Sequence, residues 1–164
     1  MKKKELYGIT CIKVLLWLAL VVFLLQLLAK IFLKMNIQGI FASTTGVLVY
    51  IIISTYIVII AVGLKRDSNY IYLMSLIFFG YGCISGIFRL VGNLYVFSDS
   101  YQLFGSLISI LLFADILIYL LLRKDYFRGK LIKLDDPRVK KQEIAFVLSL
   151  GILFLINWIG GVLI

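Results

Sequence analysis

"KKKELYGITCIKVLLWLALVVFLLQLLAKIFLK", residues 2–34, is either a helix that crosses a membrane or one that lies flat in its surface, and that choice decides the fold. The lysines argue the case. At about 100° per residue, Lys13 points well away from Gln26, Lys30 and Lys34, and residues 14–29 are apolar on every side except at Gln26. A surface-lying helix requires one continuous polar face; a crossing helix only needs its terminal lysines to bend outward to the headgroups. The stretch is read as crossing. It is also too long for a secretory leader and ends in lysines where a small-residue cleavage site would stand, so it reads as a retained anchor.

The remaining sequence belongs to the same solvent. Of 164 residues, 63% are hydrophobic and 15% charged, with a mean hydropathy of +1.09, against about 45–50% apolar and 25% charged in soluble domains. A helix needs roughly 20 apolar residues to cross the hydrocarbon, because its backbone polar groups must be satisfied within the segment. Five stretches meet that length, approximately residues 9–33, 40–64, 71–97, 103–122 and 144–164. The expected fold is an all-α, polytopic integral membrane bundle of five transmembrane helices in one domain over residues 1–164. Four crossing helices plus an N-terminal interfacial helix is the alternative.

Short loops rich in lysine and arginine stay cytoplasmic. Lys2, Lys3 and Lys4 precede the first stretch, Lys65 and Arg66 follow the second, and the loop 123–143 carries Arg123, Lys124, Arg128, Lys130, Lys133, Arg138, Lys140 and Lys141. Thirteen cations therefore fall on one side, against Lys30 and Lys34 on the other. The expected orientation has the N-terminus inside and the C-terminus outside, in the plasma membrane. So lopsided a distribution argues against insertion in both orientations. The formal net charge of +9 is accounted for by topology and by attraction to anionic lipid, at about 1 kcal/mol per surface cation, so nucleic-acid binding is not expected.

Within the apolar stretches the polar residues are few. Arg89 lies in "GYGCISGIFRLVGNLY", residues 80–95, about 7.5 Å from the middle of the third stretch at 1.5 Å per residue. A cation at that depth is expected to face protein or a watery cavity and to have a counter-charge. Asp115 is the one carboxylate inside any stretch, on the next helix. An intramembrane Arg89/Asp115 pair is therefore expected, supported by Asn93 and Tyr119. Gly82 and Gly86 form a GxxxG on the side of Arg89 and Asn93, a spacing that brings membrane helices close.

The loop 123–143 mixes cations with Tyr126, Phe127 and Leu131 and is expected to skim anionic lipid headgroups. Asp135 and Asp136 before Pro137 resemble a helix start, not a metal pair. With no histidine, histidine-ligated metal and Ser/His or Cys/His chemistry are excluded within the chain. No cofactor, metal site or catalytic residue is expected, and Cys11 and Cys83 are read as separate thiols. The function expected is that of a non-enzymatic accessory or assembly subunit of a membrane complex, its partners lipid and other subunits or further copies of itself. The alternative is a small transporter or channel protomer using Arg89, Asp115 and Asn93 in a solute, ion or proton pathway.

Overall fold

The structure, a computed structural model, describes residues 6–32, 44–64, 68–95, 100–130 and 136–163. Within these, the side chains at 26, 29–32, 44–47, 50, 101 and 157–163 lie outside the description. The expectations for Lys30, Lys34 and Asp135 fall outside it too.

The described residues are helical, with no strand. The elements are α1 (Tyr7–Phe32), α2 (Thr44–Gly63), α3 (Asn69–Tyr95), α4 (Ser100–Leu122), the single turn α5 (Lys124–Phe127) and α6 (Pro137–Leu163). Among the described residues three segments are long and apolar enough to cross a membrane: Tyr7–Leu25, Asn69–Tyr95 and Gln102–Leu122. Ile51–Gly63 is a shorter apolar helix among the described residues. Large apolar side chains stand exposed on the helices, among them Ile52, Ile77, Phe88, Ile118 and Phe154, more apolar surface than a water-facing domain leaves uncovered.

The chain divides into two units, residues 9–65 and residues 1–8 with 66–164. In the first, Ile9, Ile12, Leu16 and Leu20 of α1 recur at helical spacing and are buried, as are Ile57, Ile60 and Ala61 of α2 and Leu64 just past its end. The Thr55 hydroxyl donates to the carbonyl of Ile51 one turn back, a common way for a hydroxyl to be satisfied inside an apolar helix.

In the second unit α4 is central, with α3 and α6 both packed on it. Glycine sets the α3–α4 distance. A Cβ on Gly82 would lie 2.7–2.8 Å from the Phe113 ring, and one on Gly86 would lie 2.7 Å from Ile110 Cγ1 and 3.6 Å from the Ile110 backbone nitrogen. Lipid is as apolar as leucine, so such contacts hold helices together by packing and hydrogen bonding more than by water exclusion. Towards the far end of α3, Asn93 Nδ2 donates to Ser106 Oγ at 3.1 Å and to the Gln102 carbonyl at 3.3 Å.

The segment after α4 is built by local chemistry. α5 ends in a Schellman arrangement: Lys130 N–H donates to the Asp125 carbonyl, Gly129 N–H donates to that of Tyr126, and Gly129 takes φ 77°, which glycine adopts without steric cost. Tyr126 and Phe127 are buried, Phe127 stacked on Tyr72 of α3 at 4.9 Å. The helix start read at residues 135–137 is present at Asp136, whose Oδ1 accepts from Arg138 N–H at 2.9 Å. Pro137 then occupies the first helical position, where a missing N–H costs nothing. As a result α6 begins seven residues before the apolar stretch at 144 and carries part of the polar loop into the bundle as helix.

Candidate functional site

That extension creates the most concentrated polar cluster of the described residues. Tyr119 and Arg123 share one face of α4 at i and i+4; Glu143 and Phe146 share one face of α6 at i and i+3, and the two faces meet. Glu143 is 1% exposed and Arg123 5%. Arg123 Nε donates to Glu143 Oε1 at 2.8 Å, and the Tyr119 hydroxyl donates to the same carboxylate at 2.9 and 3.0 Å. The backbone N–H of Gly8, at the start of α1, donates to Oε2 at 2.8 Å. Arg123 also reaches the Val139 carbonyl with Nη2 at 3.4 Å.

Aromatic rings pack against the cluster on its apolar side. The Tyr119 ring lies 3.9 Å from that of Phe146 at an interplanar angle of 14°, and the Arg123 guanidinium sits 5.7 Å from the Tyr119 ring centre. A Cβ on Gly8 would run into the Tyr119 ring and its hydroxyl, so only glycine lets the backbone come close enough to donate. Every carboxylate oxygen is occupied and the charges of Arg123 and Glu143 cancel. A buried acid so fully bonded is a fastener, because the attraction offsets desolvation only when the remaining hydrogen bonds are made.

Asp115 stands two turns before Arg123 along α4. It lines an open cleft of about 290 Å³ between α4 and α6. The Ser149 side chain on α6 lies against its carboxyl, while Oδ2 is buried with no hydrogen-bond partner.

Of the residues singled out from sequence, Gly82, Gly86 and Asn93 lie on the α3–α4 contact and Tyr119 in the Glu143 cluster. Arg89 and Asp115 are not brought together. Arg89 is exposed on α3, and among the described residues the ion pairs are Arg123–Glu143 and the exposed Lys130–Asp125. The reason is rotational. The α4 side that meets α3 holds Ser106, Ile110 and Phe113, and Asp115 lies about 160° around the helix from Phe113 at 100° per residue, on the side facing α6. Arg89 is about 60° off Gly86 by the same measure and falls on the flank of the contact.

The Arg123–Glu143 cluster is not among the expected sites, because the sequence places both residues in the loop 123–143. A signal for it exists in the sequence. Continued one turn past the apolar boundary, the buried stripe Ile116–Tyr119–Leu120 of α4 reaches Arg123, and the stripe Leu150–Phe146 of α6 reaches Glu143. No group of three or more potential ligand side chains for a metal occurs among the described residues. Comparison with protein-family models, with curated proteins and with solved structures found no match.

Proposed function

We propose that the chain is a non-enzymatic accessory or assembly subunit of a membrane complex, crossing the bilayer five times with its N-terminus inside the plasma membrane. In this reading α2 and α6 cross along with the three long apolar helices. The polar face of α5 and of the first turns of α6 rests on anionic headgroups, which the exposed Lys124, Arg128, Lys140 and Lys141 would attract. The internal fastening expected of an Arg/Asp pair is supplied by Arg123 and Glu143.

The observation that carries the proposal is the placement of Arg89. It stands exposed beside Phe88, itself 73% exposed, with no ion pair among the described residues. Its Cα lies about 9 Å inside the end of α3 at 1.5 Å per residue, and helical side chains lean toward the N-terminus, here toward the hydrocarbon. A guanidinium so placed costs about 2.5–3.5 kcal/mol at full depth, a cost that a carboxylate from another subunit would offset. A solute pathway fits less well, since Arg89, Asp115 and Asn93 face three different surroundings: the outer surface, the α6 side and the α3–α4 contact.

Purification of the tagged chain in mild detergent, followed by native mass spectrometry, tests this. The expected species is heavier than the 18.7 kDa chain, whether a second copy or another protein accompanies it, and Arg89→Ala is expected to release the chain as a monomer of unchanged thermal stability. A wild-type chain that isolates only as the monomer refutes the proposal. The orientation has its own test: a reporter active only outside the cytoplasm should be active when fused after Ile164 and silent before Met1. The reverse pattern would exclude five crossings with the N-terminus inside.

A further inference from the structure

The flank of α3 that carries Arg89 has the shape of a helix-docking face. At about 100° per residue, Ser85, Arg89 and Gly92 fall within about 60° of one another, so the guanidinium has one small residue a turn below it and another a turn above. A Cβ on Gly92 would meet nothing within 4 Å, so this glycine, unlike Gly82 and Gly86, is not used in the α3–α4 contact. Small residues beside a polar one let a second helix bring its backbone and its own polar side chain close. Lipid chains require no such notch.

The charge on that flank calls for an anion within the hydrocarbon. Arg89 has no ion pair among the described residues. Its Cα lies about 7.5 Å to the outer side of the middle of its apolar stretch, and its side chain leans toward the start of α3, away from the outer headgroups. A lipid phosphate is met only by bending outward against that lean, whereas a carboxylate on a neighbouring helix at the same depth meets the guanidinium where it stands. A second copy of this chain has none to offer. Asp115 is the one carboxylate inside any apolar stretch, and it lies about 4 Å to the cytoplasmic side of the middle of its own. Its Oδ2 is buried and Ser149 lies against the carboxyl. Glu143, 1% exposed, is held by Arg123, Tyr119 and Gly8.

We infer that the Ser85, Arg89 and Gly92 flank of α3 docks a transmembrane helix of a different protein, one that carries an aspartate or glutamate in the outer half of the bilayer. The guanidinium donates to that carboxylate, and Ser85 and Gly92 let the two backbones approach. The inference rests on the assembly reading above and narrows its partner from any subunit to an acidic one that is not a copy of this chain.

The full chain in phosphatidylcholine vesicles, with energy transfer from its tryptophans to a dansylated Leu/Ala transmembrane peptide, provides the test. The peptide carries one aspartate, or one asparagine, about five residues from its centre, which matches the depth of Arg89 at 1.5 Å per residue. The aspartate peptide is expected to bind at least about tenfold more tightly than the asparagine peptide, a difference of about 1.4 kcal/mol. Arg89→Gln is expected to abolish that preference, and Arg89→Asp to transfer it to a peptide with lysine at the same place. Gly92→Leu, which keeps the guanidinium and fills the notch, is expected to weaken binding of both peptides; unchanged binding by this variant overturns the docking face. Equal binding of the aspartate and asparagine peptides by a wild-type chain that still isolates as a species heavier than 18.7 kDa overturns this inference and leaves the assembly reading standing. So does a homodimer that Arg89→Ala dissociates. A preference seen in phosphate-free maltoside micelles but lost in the vesicles also overturns it, and assigns Arg89 to a lipid phosphate.

Discussion

Replacing Glu143 with alanine is expected to lower the stability of the folded chain by about 3–5 kcal/mol, the usual cost of removing one partner from a buried ion pair. The loss is large because one carboxylate serves three donors. Without it the Arg123 guanidinium, at 5% exposure, keeps only the Val139 carbonyl, and the Gly8 N–H and Tyr119 hydroxyl lose their acceptor. Glu143→Gln keeps an acceptor oxygen in the same place and should lose markedly less. The double variant Glu143→Ala with Arg123→Ala should fall short of the sum of its parts, since the second change removes the stranded charge left by the first. Reversible unfolding in mixed maltoside and dodecyl sulfate micelles, followed by intrinsic fluorescence, measures the wild-type chain, these three variants and Arg123→Ala alone. Strict additivity, or a loss below about 1 kcal/mol for Glu143→Ala, would mean that the cluster does not fasten the α4–α6 contact.

The second large effect is expected at Gly86. Leucine there would drive its Cβ to 2.7 Å from Ile110 Cγ1 and bring three further carbons into the same contact, so α3 is expected to move off α4. A cost of about 3 kcal/mol is expected, at the upper end of overpacking. Gly82→Leu, against the Phe113 ring, should behave alike. Gly80 and Gly92 on the same helix have nothing within 4 Å of a Cβ, and leucine at either should be neutral or slightly stabilising, because glycine is the poorer helix former by roughly 1 kcal/mol. The same unfolding measurement applied to the four variants gives a periodic pattern. Equal losses at Gly80 and Gly86 would rule out the glycine-mediated contact.

These two contacts also explain how far the sequence could be read. Lipid compatibility, helical class and the long apolar segments follow from residue type and run length, because a backbone in hydrocarbon has no partner but itself. The Asp136–Pro137 helix start and the Gly129 stop are equally local: each depends on one side chain or one φ value within a few residues. Boundaries drawn by charge were less dependable. Residues 137–143 are polar and read as loop from sequence, yet they form the first two turns of α6 and carry Glu143 into the bundle.

Arg89 and Asp115 mark the other limit. The sequence by itself determined how deep each polar group sits along its helix, since depth follows from counting 1.5 Å per residue. Only the tertiary structure decided which way each group faces. Helix rotation is set by what the neighbour presents, here Phe113 and Ile110 against Gly82 and Gly86, and that contact turns Asp115 toward α6 and leaves Arg89 on the outer flank. Pairs of similar depth are legible in a sequence, whereas partners depend on azimuth, and azimuth is a property of two packed helices.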